Sequence, residues 1–114
     1  MSSSKVKEIN LERGMPAVAP AMTRLVNDLT TAKMSGCKAA VIVHGWGSSG
    51  TGGAIKAATA KKLKEPQLRG IIRDTVSGEK WMEKKKDFIN ICPQLKEFSR
   101  YVDGNKGITV AVLK

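Results

Sequence analysis

The chain has 114 residues, enough for one domain with a single core and near the small end for a domain that folds alone. Twenty Lys and Arg stand against ten Asp and Glu, a formal charge of +10 and a pI of about 9.9, which favours polyanionic partners, nucleic acid first and an anionic membrane surface second. No apolar run approaches a membrane span, no apolar stretch follows Met1-Ser2-Ser3-Ser4-Lys5, and Cys37 and Cys92 with the single His44 lack metal-site spacing. A cytoplasmic protein with reduced thiols, without a metal or other cofactor and without a membrane partner, is expected.

Residues 1–4 read as a polar tail and 5–114 as one domain. From Lys5 to Leu11, Val6, Ile9 and Leu11 are apolar among Lys7, Glu8 and Asn10, the pattern of a first strand. Arg13-Gly14-Met15-Pro16 turns the chain, and Pro16 or Pro20 suits the first turn of a helix. Val18, Met22, Leu25, Leu29 and Ala32 recur at spacings of four and three, one apolar stripe, and Gly36 is placed to end the helix in the left-handed conformation. Ala39 to Val43 has the length and β-branched content of a buried strand.

After that strand comes His44-Gly45-Trp46-Gly47-Ser48-Ser49-Gly50-Thr51-Gly52-Gly53, followed by helix formers from about 53 to 65, where Pro66 stops them. A strand, a glycine loop and a helix start are suited to holding an anion, because the first N–H groups of a helix have no partner within it. Gly52 or Gly53 is expected at positive φ, and Lys56 about one turn along adds a cation. The loop is not a Walker A motif, since Gly53 and Ala54 stand where Lys and Ser or Thr are needed. Gly45-Trp46-Gly47-Ser48-Ser49-Gly50 matches a dinucleotide fingerprint, but the helix starts too late and no acidic residue ends a following strand.

Strand, helix and strand of this connection length imply a right-handed parallel crossover. Farther on, 69–76 reads as a third strand, with 95–102 as the competing assignment. Residues 82–91 suit a helix, 103–107 a turn, and 108–113 a last strand. Residues 56–114 hold 14 of the basic and 7 of the acidic side chains, and Lys84-Lys85-Lys86 adds to this basic half.

Val41-Ile42-Val43-His44-Gly45-Trp46-Gly47, with a small-residue loop and a helix after it, resembles the Ile-His-Gly-x-Gly segment of the Smr (small MutS-related) domain. Ile9-Asn10-Leu11 with Gly14-Met15, the helix ending before Gly36, and Gly107 to Leu113 fit the same family, so that the resemblance covers roughly 6–64 and 104–113. The longer His-Gly-x-Gly-Ser-Ser-Gly-x-Gly-Gly form, with Gly-Glu-x-Trp at Gly78 to Trp81, looks like a mainly bacterial branch of Smr-like proteins lacking the family's Asp-x-His motif. The resemblance implies a two-layer α/β sandwich, a four-stranded mixed sheet with two main helices, similar to the C-terminal domain of bacterial translation initiation factor 3, here with a helical insertion at about 67–103. It also implies nucleic-acid binding and, in some members, nicking of DNA or cleavage of RNA with or without metal. The departures bear on activity. Asn10 and Glu12 stand at the Asp-x-His positions, Arg13 is an extra residue before Gly14, and the loop is longer than usual.

Phosphodiester cleavage needs a group to activate the nucleophile, a donor to the leaving oxygen and positive charge at the phosphate. His44 can do acid or base work or simply bond the loop backbone; Glu12 can serve as a base, as a single metal ligand or as a solvated charge beside Arg13. One carboxylate is thin for a metal site. Trp46 can stack on a base or cap the core. The reading is an Smr-like domain binding DNA or RNA largely independently of sequence, through Arg13, residues 45–53, Lys56 and Lys84–Lys86, with at most a weak or degenerate endonuclease activity. The competing reading is a phosphate cradle for a small phosphorylated metabolite.

Overall fold

The computed structural model describes residues 5–13, 17–46 and 52–114. Four strands, β1 (Val6–Asn10), β2 (Ala39–Val43), β3 (Ile72–Ser77) and β4 (Ile108–Leu113), form one mixed sheet in the order β1-β2-β4-β3. β1 and β2 are parallel, joined through helix α1 (Val18–Met34), while β4 runs antiparallel to both β2 and β3. The central pair is apolar on both faces, as Ala39 to Val43 and Ile108 to Leu113 require; the two edge strands carry the charges, Lys7 and Glu8 on β1 and Arg73 and Asp74 on β3. Charged side chains on edge strands discourage pairing with another sheet.

Side-chain alternation sends the sheet residues to two cores. Ile9, Ala40, Ile42, Ala111 and Leu113 pack with α1 through its buried stripe of Ala21, Met22, Leu25, Leu29 and Ala32. Helix α2 (Gly52–Lys62) lies beside α1 and adds Ile55, with Leu63 just beyond its end. Gly36, at φ 85°, ends α1: its N–H bonds Lys33 O at 3.2 Å, and Cys37 N–H bonds Ala32 O at 2.9 Å. These two bonds make a Schellman motif, which satisfies carbonyls that the helix end leaves without partners.

The opposite face, formed by Val6, Ala39, Val41, Val76, Ile108, Val110 and Val112, is covered by helix α3 (Trp81–Ile91), a 3₁₀ segment (Pro93–Phe98) and the short helix α4 (Ser99–Val102). Trp81 and Phe88 meet edge to face at 6.1 Å between centroids, and Trp81 Nε1–H donates to Ser99 Oγ at 3.0 Å. The α/β class, the four-stranded mixed sheet and the pair of main helices are thus as expected. Residues 81–102, within the segment expected to be an insertion, cover the second face of the sheet.

The third strand falls at Ile72–Ser77, close to the first of the two assignments; 95–102 is helical, with Leu95 and Val102 buried in the second core. β3 has one irregularity: Ile72 pairs with Leu113 and Asp74 with Val112, so Arg73 is an extra residue. That bulge puts Ile72 and Val76 on opposite faces although they are four apart.

Candidate nucleic-acid interface

The ends of β1, β2 and β3 and the start of β4 meet at one edge of the sheet, and the candidate residues are built on that edge. At the end of β1 the Asn10 side chain accepts from the N–H groups of Glu12 (2.8 Å) and Arg13 (3.1 Å), an Asx turn that breaks the strand and sends the chain outward. Arg24 of α1 clamps the turn by donating from Nη1 to Asn10 O at 3.4 Å and Arg13 O at 3.2 Å. Asn at this position therefore has a backbone task, which an Asp could share.

β2 is continued by His44 and Gly45, whose N–H groups both donate to Gly107 O, at 2.9 and 3.0 Å. Gly45 has φ 71°, and a Cβ there would lie 2.3 Å from Glu12 Oε2. The carboxylate of Glu12 thus lies directly on the bare backbone of Gly45. Gly107 faces the same point from just before β4, where a Cβ would stand 3.1 Å from Gly45 Cα.

His44 is 1% exposed. Its Nδ1 is 2.6 Å from Gly45 O, its Nε2 2.9 Å from Thr109 Oγ1. A carbonyl only accepts, so Nδ1 carries the proton, and in the neutral ring Nε2 accepts from the Thr109 hydroxyl. Burial lowers the imidazole pKa below its ordinary value; the bond to Gly45 O opposes this, the Lys56 charge adds to it and the Glu12 charge opposes it. The neutral ring is therefore the form present at pH 7, with its basic nitrogen directed at Thr109.

Lys56, in the first turns of α2, donates to Glu79 Oε1 at 2.9 Å. This accounts for Gly-Glu-x-Trp: Gly78 has no room for a Cβ, which would lie 2.2 Å from Asn105 O, Glu79 holds Lys56, and Trp81 fills the second core. Trp46 is 52% exposed, with Lys106 Nζ 5.3 Å from its ring centroid. Glu12, Gly45, Trp46 and Gly107 share one hollow of about 430 Å³ with Tyr101 and Asn105.

Other expectations fare differently. Gly47, Ser48, Ser49, Gly50 and Thr51 lie outside the described residues. Gly52 and Gly53 open α2 rather than standing before it, and among the described glycines of this loop it is Gly45 that has positive φ. The Arg13 side chain is exposed and borders a second hollow with Lys7, Asn10 and Arg24. Lys84 is tied to β3, where its Nζ donates to both Asp74 carboxylate oxygens at 2.9 Å, and Lys85 and Lys86 flank an apolar groove with Met82 and Ile89 on α3. Lys84 is thus paired with a carboxylate, whereas Lys85 and Lys86 border the groove. The sequence reading missed Thr109, Glu79, Tyr101 and Lys106. Thr109, the single polar residue in an otherwise apolar last strand, carried a signal; the others did not. Among the described residues, no three His, Cys, Asp or Glu side chains cluster as metal ligands, and no helix is long and apolar enough to cross a membrane.

Neither a family model nor a curated protein sequence matches the chain. Among solved structures, the crystal structure of the Smr domain of Thermus thermophilus MutS2 superposes with a TM-score of 0.59 over 95% of this chain and 98% of that one, at 22% identity. The fold is Smr-like. Helices on both faces, a parallel β1–β2 pair and His44-Gly45 at the end of β2 are features of this chain within that fold.

Proposed function

We propose that the loop edge of this Smr-like domain binds nucleic acid, DNA or RNA, mainly through the phosphate backbone. The observation that carries the proposal is Trp46, exposed beside Lys106 at the edge where α2 begins, in a chain of charge +10. A large aromatic side chain left in water next to a cation suits an unstacked base next to a phosphate. Lys56 is on the same edge, and the Smr resemblance implies the same class of partner. Cleavage, if assayed on plasmid or RNA, is expected to be weak, because Asp-x-His is missing and both His44 nitrogens are engaged; whatever cleavage occurs should be lost in His44→Ala.

Anisotropy titrations with single- and double-stranded DNA and RNA over a range of salt concentrations test the reading. Affinity should fall steeply as salt rises, as counterion release requires, and Trp46→Ala should weaken single-strand binding about fivefold or more. A shallow salt dependence together with binding of small phosphorylated metabolites would favour the phosphate cradle instead. Glu12, a carboxylate lining the hollow beside Trp46, argues against that outcome.

A further inference from the structure

Glu12 is out of place in a phosphate site. It borders the hollow between Trp46 and Tyr101, in a protein with twice as many basic as acidic residues, and there it repels a polyanion. It is also unspent: among the described residues its carboxylate accepts no hydrogen bond and forms no ion pair, only its backbone N–H being engaged, by Asn10. The side-chain amide of the hollow is engaged at both its nitrogen and its oxygen. Asn105 donates from Nδ2 to Tyr101 O at 3.2 Å, and its Oδ1 accepts from Gly107 N–H at 2.9 Å. Backbone comes close at the hollow, where a Cβ on Gly107 would stand 3.1 Å from Gly45 Cα, and the apolar Val43 and Ile108 line it as well. The walls include two exposed aromatic rings, Trp46 at 52% and Tyr101 at 47%.

An apolar lining, two exposed aromatic rings and one carboxylate with free acceptor oxygens suit a planar heterocycle that presents donors. We propose that this hollow takes a single unpaired guanine base, with the Glu12 carboxylate accepting from guanine N1–H and N2–H together. Guanine presents these two donors side by side on its Watson–Crick edge, matching a carboxylate's two oxygens. Adenine and cytosine present one amino group next to a ring nitrogen lone pair, and thymine and uracil one N–H between two carbonyls; each of these lone pairs repels the carboxylate. That edge is open only in an unpaired base, so the site selects single strands, or loops and ends. The inference rests on the proposed nucleic-acid binding and adds one read position to an otherwise backbone-driven interface.

The test uses short oligothymidylates carrying guanine, hypoxanthine, adenine or cytosine at one central position, titrated by anisotropy against the full chain at about 50 mM salt. The guanine oligomer should bind about tenfold more tightly than the all-thymine one, and the hypoxanthine oligomer, which lacks the N2 amino group, should fall between them. Glu12→Gln places an amide donor against guanine's donors; it should abolish the preference while strengthening binding of the all-thymine oligomer. Glu12→Asp keeps the charge but shortens the reach, and should lose the preference without that general gain. If the all-thymine oligomer binds and guanine adds nothing, or if the preference survives in both variants, the guanine site is wrong and the nucleic-acid reading stands. If no oligomer binds at any salt concentration, both fall.

Discussion

Lys56 Nζ and Glu79 Oε1 stand 2.9 Å apart, joining the first turns of α2 to the 3₁₀ turn that follows β3. The cation best placed to meet a phosphate at the start of α2 is thus already paired. The hydrogen bond from Lys56, and then its charge, hold the Glu79 carboxyl below its ordinary pKa, so the pair persists into mildly acidic solution. Both side chains are partly exposed, and a phosphate can compete for Lys56 only by displacing Glu79.

Glu79→Gln should therefore strengthen polynucleotide binding. Removing the competing carboxylate makes Lys56 available, and the slope of log K against log salt should steepen by roughly 0.7 to 0.9, the contribution of one added phosphate contact. Lys56→Ala should act in the opposite direction. Equal slopes for Glu79→Gln and the unmodified protein would place Lys56 outside the interface.

Lys84 is the converse case, a lysine prominent in the sequence and used by the fold. Its pair with Asp74 is about half exposed, so Lys84→Ala should cost only about 0.5 kcal/mol in urea unfolding. It should change the salt slope for polynucleotide by much less than one charge. A loss comparable to that of Lys56→Ala would show that Lys84 leaves Asp74 when a strand binds.

These two lysines illustrate what the sequence made legible. The apolar stripe of α1, the terminating Gly36 and the two central strands follow from periodicity and local chemistry, which act over a few residues, and each lies where its pattern puts it. The position of His44 at the end of β2 followed from the same signals. The partners of the site did not. Glu79 reaches Lys56 across 23 positions and Thr109 reaches His44 across 65, so neither is visible without the sheet order. The fate of residues 78–107 was equally hidden, since Trp81, Phe88, Leu95 and Val102 have a shared purpose only once β2 and β4 present a second apolar face. The run of glycines misled in one respect. Among its described members, positive φ falls at Gly45, pressed against Glu12, while Gly52 and Gly53 are helical.

Glycine content alone says little about where glycine is needed; the surroundings decide it. At Gly78 a Cβ would lie 2.2 Å from Asn105 O and 2.6 Å from Val102 O, both backbone atoms held by the turn before β4. Gly78→Ala should destabilise by about 3 kcal/mol, the upper range for overpacking. Gly70 has nothing within 4 Å and an ordinary φ, so Gly70→Ala should stay within about 0.5 kcal/mol of the unmodified protein. Urea midpoints of the two variants, measured side by side, check the contrast.

Thr59 faces the core from α2 at 0% exposure, and its Oγ1 has no hydrogen-bond partner among the described residues. A buried hydroxyl without a partner loses its hydration for no return. Thr59→Val keeps the β-branched shape and removes the hydroxyl, and should stabilise the fold by about 1 kcal/mol, raising the melting temperature by about 4 °C. A lower melting temperature would mean that the hydroxyl finds a partner in solution.

His44 sets the pH dependence. Its folded pKa lies below the ordinary value of 6.5, chiefly because the ring is buried. The unfolded chain therefore binds a proton near pH 6 that the folded chain refuses, and unfolding is coupled to proton uptake. The contribution of the neutral ring is complete above about pH 6.5, declines as the pH falls below that, and levels off only beneath the folded pKa. Over that window the loss can reach at most about 1.4 kcal/mol per pH unit for one group. Protonation would also make Nε2 a donor, so the Thr109 hydroxyl would have to turn its hydrogen away and accept. Urea midpoints measured from pH 7.5 down to pH 5 should therefore fall more steeply for the unmodified protein than for His44→Asn, and the difference between the two profiles isolates the histidine from the carboxylates that titrate below it. A ¹⁵N NMR spectrum at pH 7 should show Nδ1 protonated and Nε2 bare. Parallel profiles, or the opposite tautomer, would mean that the ring is not held by Gly45 and Thr109 in solution.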